Sequence, residues 1–540
     1  MGRDFLLDSI AAKISNRLIN PVSKRTPLML MILDGWGLAP DWGGNAIALS
    51  KTPNFDQLWK GYPKTSLVAS GTKVGLPADA PGNSEAGHLN IGAGRIVHQD
   101  IQVIDEQIAN GHFYQSKVML ELISHTQELK SNFHILGLLS KTGIHSHIKH
   151  LAPILYLLRQ KGVKNVYLHL FSDGRDSDPM SGIVYLDEVD KMIKYYEVGQ
   201  ISSIMGRFFA MDRDNRWGRT ARAYNALVKG EAEKSDSSRR IFSLSYTNRI
   251  TDEFIEPKIV VNPHQSFAPI SNNDSILFFN FRSDRIKQLI RAFLDIELDH
   301  FFDRQKLENI KLATFTVYRS DDDLSEHVFS PEKVQFPIGK VISDQNLSQL
   351  HCAETEKFPH VTYFINGGES KQFPKESDIL IPSPQVRTYD LAPKMSAQGV
   401  TDTLLKNLER SAFDSYIVNY ANPDMVGHTG NLQAVILAIA FVDQCLGTVV
   451  KEVLKREGTA IICADHGNAE QMVNPLTGDP DTEHTANPVP FIIVNNQLKD
   501  KVALQLDGAL SNIAPTILDL CGLDKPAQMS SQLSLIIKKS

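Results

Sequence analysis

Short apolar runs alternate with amphipathic segments along almost the whole chain. Leu28–Leu33 is an unbroken run of Leu, Met and Ile. Asn165–Phe171, Ser275–Phe281, Lys311–Val317, Tyr416–Tyr420 and Thr459–Ala464 have similar length and character. Runs of this kind, bounded by polar residues, predict buried strands. Between them, His150–Gln160, Tyr185–Glu197, Arg219–Lys229, Ile286–Leu294 and Leu432–Lys455 predict helices. Strands apolar on both faces that alternate with helices imply mostly parallel sheets flanked by helices, an α/β fold. No internal repeat or low-complexity run breaks the alternation.

At 540 residues the chain exceeds what one core supports, so two or more domains are expected. Three carboxylates, Asp34, Asp424 and Asp465, stand just past predicted strands. Open α/β sheets gather ligands at the carboxyl ends of their strands. Asp34 is far in sequence from the other two. The first segment and the last third are therefore expected to share one sheet, with the middle inserted as a second domain. The expected boundaries lie near residues 98 and 331. Residues 27–98 and 332–540 would form one domain, 99–331 the insert, and 1–26 an N-terminal extension.

Hydrophobic residues at 42% and charged residues at 22% are those of a globular chain. A net charge of −6 and a pI near 6.3 speak against nucleic acid or an anionic membrane as main partner, while leaving a local basic pocket open. Cys352, Cys445, Cys463 and Cys521 are scattered with no CxxC pair, which fits a reducing compartment. No apolar stretch is expected to reach the roughly 20 residues of a membrane span. The N-terminal segment mixes Arg3, Lys13, Arg17, Lys24 and Arg25 with Asp4 and Asp8 and lacks a long apolar core, so a secretory signal is not expected. A basic amphipathic transit segment is the alternative to a plain extension on a soluble cytoplasmic chain.

Asn83-Ser84-Glu85-Ala86-Gly87-His88 opens a predicted helix behind Pro81-Gly82. Taken alone, Ser84 reads as a helix N-cap. Taken with Asp34, Asp424, His428, Asp465, His466 and His484, it reads as a nucleophile beside enough ligands for two divalent metals. Asp424 and His428, four residues apart, share one side of a helix. Asp465-His466 directly follows a buried strand, where an ionisable pair must be paired, exposed in a cleft or bound to metal. His484 leads into Thr485-Ala486-Asn487-Pro488. Together these suggest metal-assisted phosphoryl transfer through a phosphoserine. Such Asp/His sites accept manganese, zinc or cobalt.

The middle of the chain carries a different inventory. Asp173-Gly174-Arg175-Asp176 follows a strand, Arg207 ends an apolar run, and Arg213 and Arg216 lie just beyond it. Arg282 and Arg285 flank Ser283-Asp284. Single arginines are usually surface ion pairs. Repeated placement of guanidinium forks at strand ends points instead to an anionic substrate. His145 and His147 add donors or proton transfer, and one of the two is expected to be structural. Gly92-Ala93-Gly94 lacks the third glycine of a dinucleotide loop and follows a predicted helix, and there is no P-loop.

Several longer motifs closely resemble those of the cofactor-independent (2,3-bisphosphoglycerate-independent) phosphoglycerate mutases, a family of the alkaline phosphatase-like superfamily. They are Ile32-Leu33-Asp34-Gly35-Trp36-Gly37, Asn83-Ser84-Glu85-Ala86-Gly87-His88-Leu89-Asn90-Ile91-Gly92-Ala93-Gly94-Arg95 and Phe281-Arg282-Ser283-Asp284-Arg285. Glu354-Thr355-Glu356-Lys357, Ala464-Asp465-His466-Gly467-Asn468-Ala469-Glu470 and His484-Thr485-Ala486-Asn487-Pro488-Val489-Pro490 complete the set. The resemblance runs from about Pro27 to the C-terminus. It implies an alkaline phosphatase-like metal domain with a large inserted substrate domain. It also implies an isomerase of glycolysis and gluconeogenesis that interconverts 3-phosphoglycerate and 2-phosphoglycerate through a phosphoserine. By the matching motifs, Asp424, His428 and His484 would hold one divalent metal, usually manganese, and Asp34, Ser84, Asp465 and His466 the other. His145, Arg175, Asp176, Arg207, Arg213, Arg282 and Arg285 would bind substrate, and Lys357 would lie near the phosphoryl group. Asp176 is the candidate for moving the proton on the glycerate hydroxyls. Closure of the insert over the glycerate is expected to exclude water. A cytoplasmic monomer with a small-molecule substrate and no nucleic-acid or membrane partner is expected.

The chain departs from the family pattern at Pro81, where methionine is common, and at Lys141-Thr142, where Asp-Gly is common. Neither removes a ligand. The alternatives are a phosphatase or phosphopentomutase of the same superfamily, and a noncatalytic protein that binds phosphometabolites. The arginine-rich middle disfavours the first; Ser84 with its full ligand set disfavours the second.

Overall fold

The computed structural model describes residues 18, 22–261, 267–294, 302–317, 325–330, 332–529 and 531–538. Most of the 1–26 extension, and residue 331, lie outside the described residues. The chain divides into two compact units, Met1–Gln99 with Glu332–Ser540, and Asp100–Pro331. Each is built on its own eight-stranded sheet with helices packed against it.

In the first unit the strand order is Glu376–Ile381, Gln349–Glu354, Ser415–Tyr420, Leu28–Leu33, Thr459–Cys463, Val489–Val494, Lys64–Val68, Gly508–Ala509. The first five are mutually parallel. Every residue of Leu28–Leu33, Ser415–Tyr420 and Thr459–Cys463 is buried, which is why these runs are apolar on both faces. Leu33 pairs with Tyr420, and Ile32 with Cys463, so the three strands end side by side. The segments leaving them carry Asp34, Asp424 and Asp465. Val489–Val494 runs antiparallel to Thr459–Cys463, so the His484–Pro488 segment that precedes it arrives at the same edge.

The helix Leu432–Lys455 corrects one expectation. It is long and apolar enough to pass as a membrane span. Its apolarity serves the core: Val435, Ala438, Ile439, Val442, Leu446 and Val449 are buried within this unit. Asp443, also buried at mid-helix, accepts from the amides of Asn54 and Phe55 and so caps the helix Pro53–Gly61.

The second unit orders its strands Glu326–His327, Lys311–Thr314, Ser275–Phe278, Phe133–Leu139, Val166–Ser172, Gln200–Gly206, Lys258–Val260, Glu233–Ser235. The pairing is parallel except between Gln200–Gly206 and Lys258–Val260. Leu139, Ser172 and Gly206 align at one edge. Two strands are shorter than their apolar runs, ending at Phe278 and Thr314. The runs continue because Phe279, Phe281 and Phe315 stay buried after the ladder ends. Asn280 turns the chain there, its side-chain oxygen accepting from Leu138 N at 2.9 Å.

Candidate metal centre and substrate-anchoring cluster

Ser84 is not the N-cap of its helix. That position belongs to Asn83, whose side chain accepts from Ala86 N at 2.8 Å, and Ser84 is the first residue of the helix Ser84–Ala93. Two cap-type residues stand in sequence, and only the first has the extended backbone a cap requires. The Ser84 hydroxyl is thereby free to face the strand ends. Its Oγ lies 2.9 Å from His466 Nε2, 2.6 Å from Lys357 Nζ and 3.4 Å from Asp34 Oδ1. Glycine lets these segments approach. A Cβ on Gly87 would stand 2.7 Å from Asp465 O. Gly35 sits at φ +74° with the Asp424 backbone 2.9 Å from its missing Cβ.

Beside Ser84, His428 Nδ1 faces Thr482 O at 2.8 Å and His484 Nδ1 faces Gly82 O at 2.9 Å. A carbonyl only accepts, so both Nδ1 atoms are donors, and each ring in its neutral form turns an Nε2 lone pair inward. Those two Nε2 atoms lie 3.1 Å apart, and 3.2 Å and 3.1 Å from Asp424 Oδ1. Three acceptors converging on one point fit a cation. His466 repeats the device: its Nδ1 faces Gly467 O, and its Nε2 lies 3.5 Å from both Asp34 Oδ1 and Asp465 Oδ2.

The electrostatics agree. Lys357 is buried between Asp34 Oδ1 at 2.7 Å and Asp424 Oδ2 at 2.6 Å. Burial is the largest single influence and pushes both carboxyls up, but Lys357 together with His466, and for Asp424 also His428 and His484, outweighs it and holds both far below the usual range. Burial pushes His466 down, yet Asp465, Asp34 and Asp424 carry it up to about 9. Three buried carboxylates against the Lys357 ammonium and the His466 imidazolium still leave a negative pocket, and the residues present fit divalent ions.

Several supporting groups carry no assigned role in the sequence reading. His88, one helical turn after Ser84, donates from Nδ1 to Ser84 O at 2.9 Å and lies 3.3 Å from Asp465 Oδ2. Its i, i+4 spacing from Ser84 was the available signal. Asn419, a lone amide in an apolar strand, donates to Asp34 Oδ2 at 2.7 Å. Asn468 donates to Asp424 Oδ1 at 3.1 Å. Glu470 accepts from Gly37 N, Asn468 N, Thr485 Oγ1 and Asn487 Nδ2, tying the ligand-bearing loops together.

In the second unit the arginines gather around carboxylates. Arg207 is 2% exposed and donates to Asp173 Oδ1 at 2.6 Å and to Asp176 Oδ2. Asp284 takes Arg213 Nη1 at 3.0 Å and Arg282 Nε at 3.3 Å. His145 lies between, its Nε2 3.5 Å from Asp176 and its Nδ1 3.7 Å from Asp284. Burial, and then Arg207, bring His145 down to about 4, so it is neutral. Arg285 is depressed by burial and by Arg213, Arg175 and Arg207, which places these four cations close together. Arg175 also meets Glu253 at 3.4 Å. His147 instead accepts from Lys149 N as the cap of the short helix Ile148–His150, so of the two histidines it is the structural one. Arg216 is exposed beside Asp214, at 3.9 Å.

A strand-edge set of aspartates and histidines around a serine, on this α/β frame, defines a metalloenzyme. The family model described as Metalloenzyme superfamily matches residues 26–525. A Listeria innocua protein, 2,3-bisphosphoglycerate-independent phosphoglycerate mutase, is 48% identical over 516 residues, covering 95% of this chain and 100% of its own. The Moorella thermoacetica protein of the same name is 46% identical, covering 96% and 99%. A crystal structure of Leishmania mexicana phosphoglycerate mutase at low cobalt concentration superposes with a TM-score of 0.74 at 29% identity, covering 96% of this chain and 98% of that one. The chain belongs to the 2,3-bisphosphoglycerate-independent phosphoglycerate mutase family.

Proposed function

We propose that the chain interconverts 3-phosphoglycerate and 2-phosphoglycerate through a phosphoserine at Ser84, independently of 2,3-bisphosphoglycerate. The observation that carries this reading is Ser84 Oγ held between Lys357 Nζ and His466 Nε2 beside a cation-demanding cluster. Lys357 donates to the serine oxygen and favours its anionic form, and Asp34 Oδ1, at 3.4 Å, accepts the serine proton's hydrogen bond. Transfer forms the bond from Ser84 Oγ to phosphorus as the bond from phosphorus to the substrate oxygen breaks. The return step reverses this at the other glycerate hydroxyl. Divalent ions, manganese in our reading, held by Asp424, His428 and His484 and by Asp34, Ser84, Asp465 and His466, would neutralise the serine and phosphoryl oxygens. Arg175, Arg207, Arg213, Arg282, Arg285 and His145 anchor the glycerate, and Asp176 moves the proton between its hydroxyls.

We further propose that residues 27–98 with 332–540 act as the metal-binding phosphotransfer domain and 99–331 as the inserted substrate domain. The enzyme is read as a cytoplasmic monomer acting on a small molecule, without membrane or nucleic-acid partner. Cys352, Cys445, Cys463 and Cys521 are buried and form no disulfide, in keeping with a reducing setting. The test is conversion of 3-phosphoglycerate in manganese, with and without 2,3-bisphosphoglycerate, followed by mass spectrometry of Ser84. Release of inorganic phosphate in place of 2-phosphoglycerate would make it a phosphatase.

A further inference from the structure

At the outer edge of the first unit's sheet, Gln349–Glu354 and Glu376–Ile381 pair in parallel, with His351 opposite Asp378 and Gln349 opposite Glu376. Residues two apart share a face of a strand, so these four side chains stand together. Gln349 Nε2 donates to Gly339 O at 2.7 Å, which turns its Oε1 toward His351 Nε2 at 3.1 Å. An amide oxygen only accepts, so Nε2 carries the His351 proton and Nδ1 presents a lone pair. That lone pair lies 3.4 Å from Glu376 Oε1 and 4.0 Å from Asp378 Oδ1. His351 is wholly buried, and neither its Nδ1 nor Asp378 Oδ1 has a hydrogen-bond partner. The other oxygens are engaged: Glu376 Oε2 accepts from Phe373 N at 3.0 Å, and Asp378 Oδ2 from Gln372 Nε2 at 2.9 Å. Asn366 Nδ2 donates to Glu376 Oε1 at 2.7 Å and fixes that carboxylate in place.

We propose that His351 Nδ1, Glu376 Oε1 and Asp378 Oδ1 bind a divalent transition-metal ion, at a site sharing no residue with the Asp424 centre. The three atoms lie within 4.8 Å of one another. An ion bound at about 2.0–2.2 Å in a tetrahedral site brings such atoms about 3.3 Å apart, so only the Asp378 side chain has to close in. Asp378 is 14% exposed, which leaves a solvent side for entry and for a water ligand. One imidazole and two carboxylates suit zinc, cobalt or manganese. The ion staples the outermost strand to Gln349–Glu354, the strand that leads directly into Lys357. The competing occupant is a proton shared between Glu376 and His351.

The test strips the full-length chain with chelator, reloads it with Co2+ and crystallises it. The expected result is an anomalous cobalt peak between His351, Glu376 and Asp378. In solution, Asp378→Asn should bind about one Co2+ fewer per chain by elemental analysis while keeping its circular dichroism. No peak there at saturating Co2+ overturns the proposal, whatever is found beside Asp424. Equal cobalt content in a folded Asp378→Asn variant also overturns it. If that variant misfolds, the wild-type anomalous map decides.

Discussion

Lys357→Met keeps a similar side-chain volume and removes the one ammonium lodged between Asp34 and Asp424. Its Nζ stands 2.7 Å and 2.6 Å from their oxygens. At an effective dielectric near 20 each contact attracts by about 6 kcal/mol, against which the burial of all three charges must be set. The net cost of removing one partner from a buried pair is about 3–5 kcal/mol, because the carboxylates stay buried and uncompensated. The assay is urea unfolding of the metal-free protein at pH 7, followed by tryptophan fluorescence. Trp36, Trp42 and Trp59 lie in the first unit and Trp217 in the second, so a Trp217→Phe background makes the signal report the domain that carries the change. The sign with pH is fixed by the carboxyls. Their folded pKa values are depressed, so their contribution is present above the unfolded value near 3.9 and is lost as pH falls through the folded values. The gap between wild type and variant should therefore narrow below pH 4, where protonated carboxyls need no partner. Saturating manganese should narrow it at pH 7 by supplying the missing positive charge. A loss under about 1 kcal/mol in metal-free protein, or a gap that manganese leaves unchanged, refutes this account of the cluster.

Ser84→Ala should abolish mutase turnover and the phosphoserine seen by mass spectrometry while leaving circular dichroism unchanged, since it removes one hydroxyl. In the metal-free chain, His466 is raised from 6.5 to about 9. Its protonated ring therefore stabilises the fold fully below pH 6.5, and that contribution, about 3 kcal/mol, is lost as pH climbs to 9; His466→Gln should flatten the urea-midpoint profile there. Arg285→Ala should weaken phosphoglycerate binding by roughly 2–5 kcal/mol in calorimetry, with stability unchanged or improved, because its neighbours Arg213, Arg175 and Arg207 repel it. Arg207→Ala should instead destabilise by about 3–5 kcal/mol in thermal unfolding, since Asp173 loses its guanidinium. Chelation should abolish activity and manganese restore it, with metal content followed by elemental analysis.

The strands that position the metal centre were legible because burial on both faces writes itself as an unbroken apolar run. Leu28–Leu33 and the helix Leu432–Lys455 have the bounds their patterns predict. Where the run outlasted the ladder, as at Phe279 and Phe315, the same burial signal misplaced the strand end, because hydrophobicity reports the core and not the hydrogen bonds. The cap at Asn83 was missed by one residue, since Asn and Ser are chemically equivalent as caps and only the backbone dihedral separates them. His88, Asn419 and Glu470 were harder. Each acts on a ligand-bearing segment and not on the substrate, so its role appears only once Asp465, Asp34 and Gly37 are near it in space. The helix Leu432–Lys455 was predicted with no apolar stretch of spanning length expected, yet it is long and apolar enough to pass as one, because its apolar face is buried in the core while Asp443 caps Pro53–Gly61.

Both units use one device, charged residues just beyond the carboxyl ends of central parallel strands, and the balance of charge decides what each cluster takes. In the first unit, Asp34, Asp424 and Asp465 outnumber the Lys357 ammonium and the His466 imidazolium, and His428 and His484 turn their Nε2 atoms to the same point. That set is short of positive charge and cannot relieve the shortage from within, so it takes cations. In the second unit, Asp173 and Asp284 each already hold a guanidinium, from Arg207 and Arg213. Their pairing fixes the cluster before any ligand arrives, and Arg285, which forms no ion pair among the described residues, adds charge that its cationic neighbours oppose. An anion placed there relieves that repulsion without having to break the pairs that hold the site. The same reasoning explains why Arg207 and Arg285, alike in sequence context, should fail differently when removed, the first through the fold and the second through binding.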